Sequence, residues 1–157
     1  MAHEQPPKIL IVYHSQTGNT ERMAKEVLLG VQEAGGIGIL KNARDADFND
    51  LLEADCIAIG TPEYFGYMAG LVKDFFDRVY IKALTEPKLF RKPYALFISA
   101  GNDGEGAKLS VERICIGLKL KKVQEAIVSK GTLTPQTLKA LRELGMILSI
   151  GKRDGIF

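Results

Sequence analysis

The chain of 157 residues has no tryptophan, two cysteines, two histidines and no long run of like charge. Each scarcity excludes something. Cys56 and Cys115 stand apart in apolar surroundings without a Cys-x-x-Cys or other metal-ligand spacing. Reduced core thiols are therefore expected, not a disulfide framework or a zinc site. Lysine and arginine number 21 against 19 aspartates and glutamates, for a net charge of +2. Nucleic-acid binding needs a basic face. The two basic clusters, Lys119, Lys121 and Lys122 and then Lys88, Arg91 and Lys92, are short and read as solvated helix ends and loops. No apolar run approaches bilayer length, and Met1 to Pro7 lacks the apolar centre of a secretory signal. The expectation is a soluble, cytoplasmic protein with no nucleic-acid or membrane partner. A flexible leader is expected over residues 1–7 and a single domain over 8–157.

Within 8–157 two periodicities alternate. Lys8-Ile9-Leu10-Ile11-Val12-Tyr13 is an unbroken β-branched and aliphatic run, the pattern of a strand buried on both faces. Met23, Val27, Leu28 and Val31 then fall at helical spacing, and Gly35-Gly36 closes that helix. Ile37 to Leu40 reads as a short strand, residues 48–52 as a weak helix and Ala54 to Ile59 as a third strand. A loop is expected over 60–67, followed by a helix whose wide apolar face carries Met68, Leu71, Val72, Phe75, Phe76 and Val79. Tyr94 to Ile98 gives a fourth strand, Leu109 to Leu118 a helix and Val123 to Val128 the weakest strand. Thr134-Pro135 opens a last helix running to Gly151, with threonine as N-cap and proline in the first turn.

Strands that alternate with helices and are themselves nearly continuously apolar predict an α/β doubly wound sheet, five-stranded and parallel, with helices on both faces. Order 2-1-3-4-5 suits five strands, and ligands then bind beyond the carboxyl ends of the strands. The three most unusual stretches of the chain fall at those ends.

The first is Ser15-Gln16-Thr17-Gly18-Asn19-Thr20, between a buried strand and a helix N-terminus. Unpaired amides and the helix dipole attract an anion there, and short side chains can donate to phosphate oxygens. The loop has no lysine or arginine, so neutral donors must hold the anion, and it matches neither a P-loop nor a Gly-x-Gly-x-x-Gly fingerprint. The second stretch, Thr61-Pro62-Glu63-Tyr64-Phe65-Gly66, offers aromatic walls for a flat ring. The third, Ser99-Ala100-Gly101-Asn102-Asp103-Gly104-Glu105-Gly106, is glycine-rich, a weak signal by itself. His14, at the end of the first strand, reads as structural or solvent-facing.

From Lys8 to about Gly151 the chain resembles the flavodoxin family, and Gly60-Thr61-Pro62-Glu63-Tyr64-Phe65-Gly66-Tyr67-Met68 is similar to the Gly-Thr-Pro-x-x-Phe-Gly-x-Met of flavodoxin-like quinone reductases. The resemblance implies FMN as cofactor. Its phosphate would lie on Ser15, Gln16, Thr17, Gly18, Asn19 and Thr20, and its ring against Thr61, Pro62, Glu63, Tyr64, Phe65 and Gly66. The pyrimidine edge would lie against Ser99, Ala100, Gly101, Asn102 and Gly104. It further implies that the Gly66 peptide can reorient with flavin redox state, and that Asp103 and Glu105 place negative charge near the ring.

The chain departs from the small acidic electron carriers in its slight positive charge and in having no aromatic in the third loop, which leaves one ring face open. It also lacks the extra segment of the larger quinone reductases. Three functions stand at this point: electron transfer through FMN to a redox partner protein, an NAD(P)H-dependent oxidoreductase acting on quinones or similar acceptors, and a flavin-free interaction domain. The acidic cluster that a signalling domain of this fold requires is missing from the strand ends. A homodimer through the apolar face of Met68 to Val79 is a further possibility, against burial of that face in the core.

Overall fold

The computed structural model describes residues 5–157. The chain begins with strand β1 (Lys8–Tyr13), helix α1 (Asn19–Glu33), strand β2 (Ile37–Asn42), helix α2 (Phe48–Glu53) and strand β3 (Cys56–Tyr64). A two-residue strand β4 (Tyr67–Met68) precedes helix α3 (Gly70–Leu84), a 3-10 turn at Pro87–Leu89 and strand β5 (Pro93–Ala100). Helix α4 (Glu105–Gly117), strands β6 (Lys121–Lys122) and β7 (Ile127–Lys130) and helix α5 (Pro135–Arg153) complete the series. The four N-terminal residues of the expected leader lie outside the described residues. Pro7 is buried, and its carbonyl accepts a hydrogen bond from Ile37 N at 2.8 Å.

The sheet has seven strands along the path β2-β1-β3-β5-β6, with β4 on β3 and β7 on β5. All pairings are parallel except β3 with β4. With β4 set aside as half of a hairpin, and β6 and β7 taken as one divided edge strand, the order is the expected 2-1-3-4-5. The division has a cause in register. Tyr94 pairs with Lys122 and Phe97 with Ile127, so three steps along β5 (94 to 97) face five along the edge (122 to 127). The two surplus residues leave the ladder as a bulge, which an edge strand accommodates.

Alternation along the strands feeds both layers of core. Leu10, Val12, Ile57, Ile59, Leu96 and Ile98 meet the α2, α3 and α4 side, where Val72, Phe75, Val79, Val111 and Cys115 pack. Ile9, Ile11, Ala58, Ala95 and Phe97 meet α1 and α5 through Met23, Val27, Leu141, Leu144 and Leu148. This two-sided demand is why the strands read as continuous apolar runs. Met68, Val72, Phe75, Phe76 and Val79 are all buried here, so the apolar face considered for a dimer is taken up by the core. Both cysteines are free and buried.

Helix α1 crosses α5 closely: a Cβ on Gly145 would meet Val27 O. Helix α2, the weakest in apolar pattern, is held by a reciprocal capping box between Asp47 and Asp50. Thr134 caps α5 by accepting from Thr137 N, and that helix extends past Gly151 to Arg153.

The largest departure from expectation concerns residues 60–67. They form no loop. Strand β3 continues through Tyr64, with Gly60, Thr61 and Pro62 paired to Phe97, Ile98 and Ser99. It then turns back as a hairpin in which Tyr64 pairs with Tyr67 and Glu63 with Met68. The two turn residues, Phe65 at φ 53 and Gly66 at φ 69, are both left-handed, as a two-residue primed turn requires.

Candidate functional site

Beyond the carboxyl ends of β1, β3 and β5 lies a cleft of about 590 Å³, within the range of small-molecule sites. Strand β1 sits between β2 and β3, so successive connections leave it in opposite directions and the cleft falls at the switch point where such sheets bind ligands. The first loop lines it with Ser15, Gln16, Thr17, Asn19 and Thr20, the second with Pro62, Glu63 and Tyr64, and the third with Ser99, Ala100 and Gly101.

The first loop is built to leave donors free. Gly18 N donates to Ser15 Oγ at 3.1 Å and Arg22 N to Gly18 O at 3.0 Å, so a tight polar turn runs directly into α1. Gly18 takes φ 107, which disfavours any side chain there. Among the described residues the amides of Gln16, Thr17, Asn19, Thr20 and Glu21 find no protein acceptor. Unpaired amides at a helix start favour negative charge. Thr20 is buried against the cleft and Thr17 is exposed at its rim.

Tyr64 supplies the aromatic wall, and burial raises the pKa of its hydroxyl. His14 packs edge-on against it, ring centroids 6.2 Å apart. The His14 Nδ1 is buried without a hydrogen-bond partner among the described residues. Burial, and secondarily the positive charge of Arg44, lowers the His14 pKa from 6.5, which favours the neutral ring. The histidine is therefore a buttress behind the wall.

The hairpin carrying Tyr64 is clamped to α4. Ala107 N donates to Glu63 Oε2 at 3.1 Å and Met68 N to Ser110 Oγ at 3.2 Å. A Cβ on Gly106 would collide with the Gly66 carbonyl, so only glycine allows this approach. Inside the hairpin, Thr61 is fully buried; its hydroxyl donates to Pro62 O at 2.8 Å and accepts from Ala69 N at 2.9 Å.

Six of the residues named from sequence stand outside the cleft lining: Gly18, Thr61, Phe65, Gly66, Asn102 and Gly104. Gly18 and Thr61 shape their loops as described. Phe65 and Gly66 form the hairpin tip, with the Phe65 ring wholly exposed. Gly104 takes φ 73 at the start of α4, and Asp103 Oδ1 accepts from Glu105 N at 2.9 Å, so the third loop serves first to launch the helix. Asn102 is exposed and makes no side-chain hydrogen bond among the described residues.

Gly131 and Thr132 line the cleft and were not foreseen. They follow β7, where Gly131 N donates to Ala100 O at 2.9 Å. Their signal was positional: the fifth strand also has a carboxyl end, and Lys130-Gly131-Thr132 is its exit. Among the described residues no group of three or more potential metal-binding side chains occurs and no helix is long and apolar enough to cross a membrane.

A doubly wound sheet of this order, with free amides at its first βα turn and an aromatic wall from the third strand, defines a flavodoxin-like α/β protein. The family model described as flavodoxin matches residues 11–140, and the chain belongs to that family. It is 38% identical to a flavodoxin of Aquifex aeolicus over 73 residues, covering 46% of this chain and 40% of the other. It is 32% identical to NAD(P)H dehydrogenase (quinone) 3 of Rhizobium meliloti over 124 residues, covering 66% and 58%. The chain thus spans less than two thirds of the length of either relative. A flavodoxin from the domain Archaea superposes with a TM-score of 0.80 over 93% of this chain and 99% of its own, at 24% identity, which shows the shared fold.

Proposed function

We propose that this protein binds FMN in the cleft and carries electrons through it, as a single domain acting in the cytoplasm. The observation that carries this reading is that Gln16, Thr17, Asn19 and Thr20, whose amides have no protein acceptor among the described residues, line one cleft together with the aromatic Tyr64. Ser15, Gln16, Thr17, Asn19 and Thr20 would hold the phosphate, with Gly18 setting the turn. Pro62 and Tyr64 would wall the ring. Ser99, Ala100 and Gly101 would meet its polar edge, joined by Gly131 and Thr132. The residues fit the cofactor in charge as well: each hydrogen bond to an ionised oxygen contributes roughly 1.5–3 kcal/mol, so a few neutral donors suffice without a lysine.

Bound FMN supplies a ring that accepts and releases electrons, while the protein supplies position and field. Glu63 is committed to Ala107 N and holds the hairpin in place. Redox proteins of the flavodoxin type exchange electrons with protein partners or with NAD(P)H. A second reading, direct reduction by NAD(P)H and delivery to a quinone-type acceptor, is favoured by one observation. Ala100, Gly101, Gly131 and Thr132 place no aromatic on their side of the cleft, which leaves room for a stacked nicotinamide or quinone.

An anaerobic titration of the FMN-loaded protein with NADPH, followed by flavin absorbance, separates the two. Slow or absent bleaching, with full reduction by dithionite, is expected of a carrier supplied by a protein donor. Rapid stoichiometric bleaching would establish the reductase instead.

A further inference from the structure

On the face of the sheet covered by α3 and α4, the two helices leave an open seam between them. Phe76, Tyr80 and Leu84 wall it from α3, beside the Lys73–Asp77 ion pair, Ile114 walls it from α4, and Gly117 and Leu118 line it at the C-terminal end of α4, where Gly117 leaves open space. Two hollows of about 260 and 270 Å³ share Gly117 and Leu118, so the seam is continuous along several helical turns. Phe90, which lines it, is 64% exposed. The cleft at residues 15–20 is a separate site, lined by none of these residues.

Lys119 lines the far end of the seam, and across Phe90 the adjoining hollow is lined by Lys88 and Arg91 together with Glu53 and Asp55. Lys88, Arg91 and Lys119 are exposed, and none of the three forms an ion pair among the described residues. Arg91 and Lys119 are both left-handed, at φ 59 and 60, and Arg91 N donates to Lys119 O at 2.8 Å. Non-glycine residues rarely hold that conformation, and here it joins the backbone of the two residues. The carboxylate lining the same hollow as Lys119, Glu86, is turned to Lys88 N at 3.0 Å.

We propose that the α3–α4 seam docks an amphipathic helix of a partner protein, with an apolar stripe in the groove and acidic residues over Lys88, Arg91 and Lys119. Two concave hollows in line suit side chains projecting at successive turns of a helix. A bilayer surface would meet a convex apolar face, not hollows. An acidic helix meets both features at once.

The probe is a synthetic peptide of about four helical turns, with leucine at i, i+3, i+4 and i+7 and glutamate on its flanks. It is titrated into the isotope-labelled protein and followed by amide chemical shifts. Shifts confined to α3, α4 and the 3-10 turn are expected. Binding should weaken at least tenfold when the glutamates become lysines, and again in the Lys119→Glu and Gly117→Phe proteins. Two variants are needed because Gly117→Phe alone could disturb α4, whereas Lys119 is a surface residue. Absence of shifts overturns the proposal, as does equal binding of the two peptides. Self-association through the seam, or binding of phosphatidylserine vesicles in preference to the peptide, overturns it too. FMN binding is measured in the same samples, so failure here is separable from failure of the cofactor reading.

Discussion

Thr17 stands at the rim of the first loop, exposed and with no side-chain partner among the described residues. Its hydroxyl has nothing to do for the fold, so Thr17→Val should leave the melting temperature unchanged. FMN affinity should fall about tenfold, the equivalent of one hydrogen bond at about 1.4 kcal/mol. Equal affinity of the two proteins, by quenching of flavin fluorescence, would remove Thr17 from the site. His14 makes a prediction of a different kind. Burial lowers its folded pKa from 6.5, so the unfolded chain takes up the proton first as pH falls. The stability contributed by the neutral ring is present above about pH 6.5 and is lost as pH drops through the folded value. Melting temperature between about pH 7.5 and pH 5 should decline more steeply for the native protein than for His14→Gln; parallel declines would show that His14 does not titrate this way. The sequence carried the donor types of the first loop plainly, because Ser, Thr and Asn around one glycine have few structural uses. It did not carry the His14–Tyr64 contact, which depends on two residues brought together by β1–β3 pairing. It was silent on Thr61 as well, whose hydroxyl is consumed by Ala69 N.

At the scale of elements, the hairpin of residues 56–68 is the part that positions the aromatic wall. Its register with β5 and its clamp on α4 were both hidden in the sequence. Proline and two glycines near residues 60–66 read as a loop, whereas pairing with β5 carries the strand through them and a primed turn reverses it. Gly106→Ala tests the clamp directly. The added carbon meets the Gly66 carbonyl, so the hairpin must shift, and FMN affinity should fall about tenfold or more while α4 itself gains helix propensity. Unchanged affinity would mean that the hairpin's seat on α4 is irrelevant to the site. Gly145→Ala makes the contrasting case on the opposite face, where the α1–α5 crossing leaves no room for a Cβ. A loss of about 1–3 kcal/mol in denaturant unfolding is expected there, with the cleft untouched. Glycines inside helical runs gave no warning of this contact, since sequence spacing does not report which helices cross.

For the whole molecule, strand order and cleft position were the most legible features. Continuous apolar strands demand helices on both faces, and that architecture places ligands at the carboxyl ends near β1 and β3. The divided edge strand and the contribution of Gly131 and Thr132 escaped notice because the weakest strand had too few apolar residues to fix its register. Balanced charge and an open side of the cleft bear on which molecule delivers electrons, but they leave the cofactor itself as the central claim. That claim makes the phosphate the chief anchor, through amides that find no protein acceptor among the described residues. The direct measurement is to titrate the apoprotein with FMN and with riboflavin, which differ only in the phosphate, following flavin fluorescence. Two or more charge-assisted hydrogen bonds at roughly 1.5 kcal/mol each make FMN about a hundredfold tighter or better. Equal affinity for the two flavins, or binding of neither, would contradict the account.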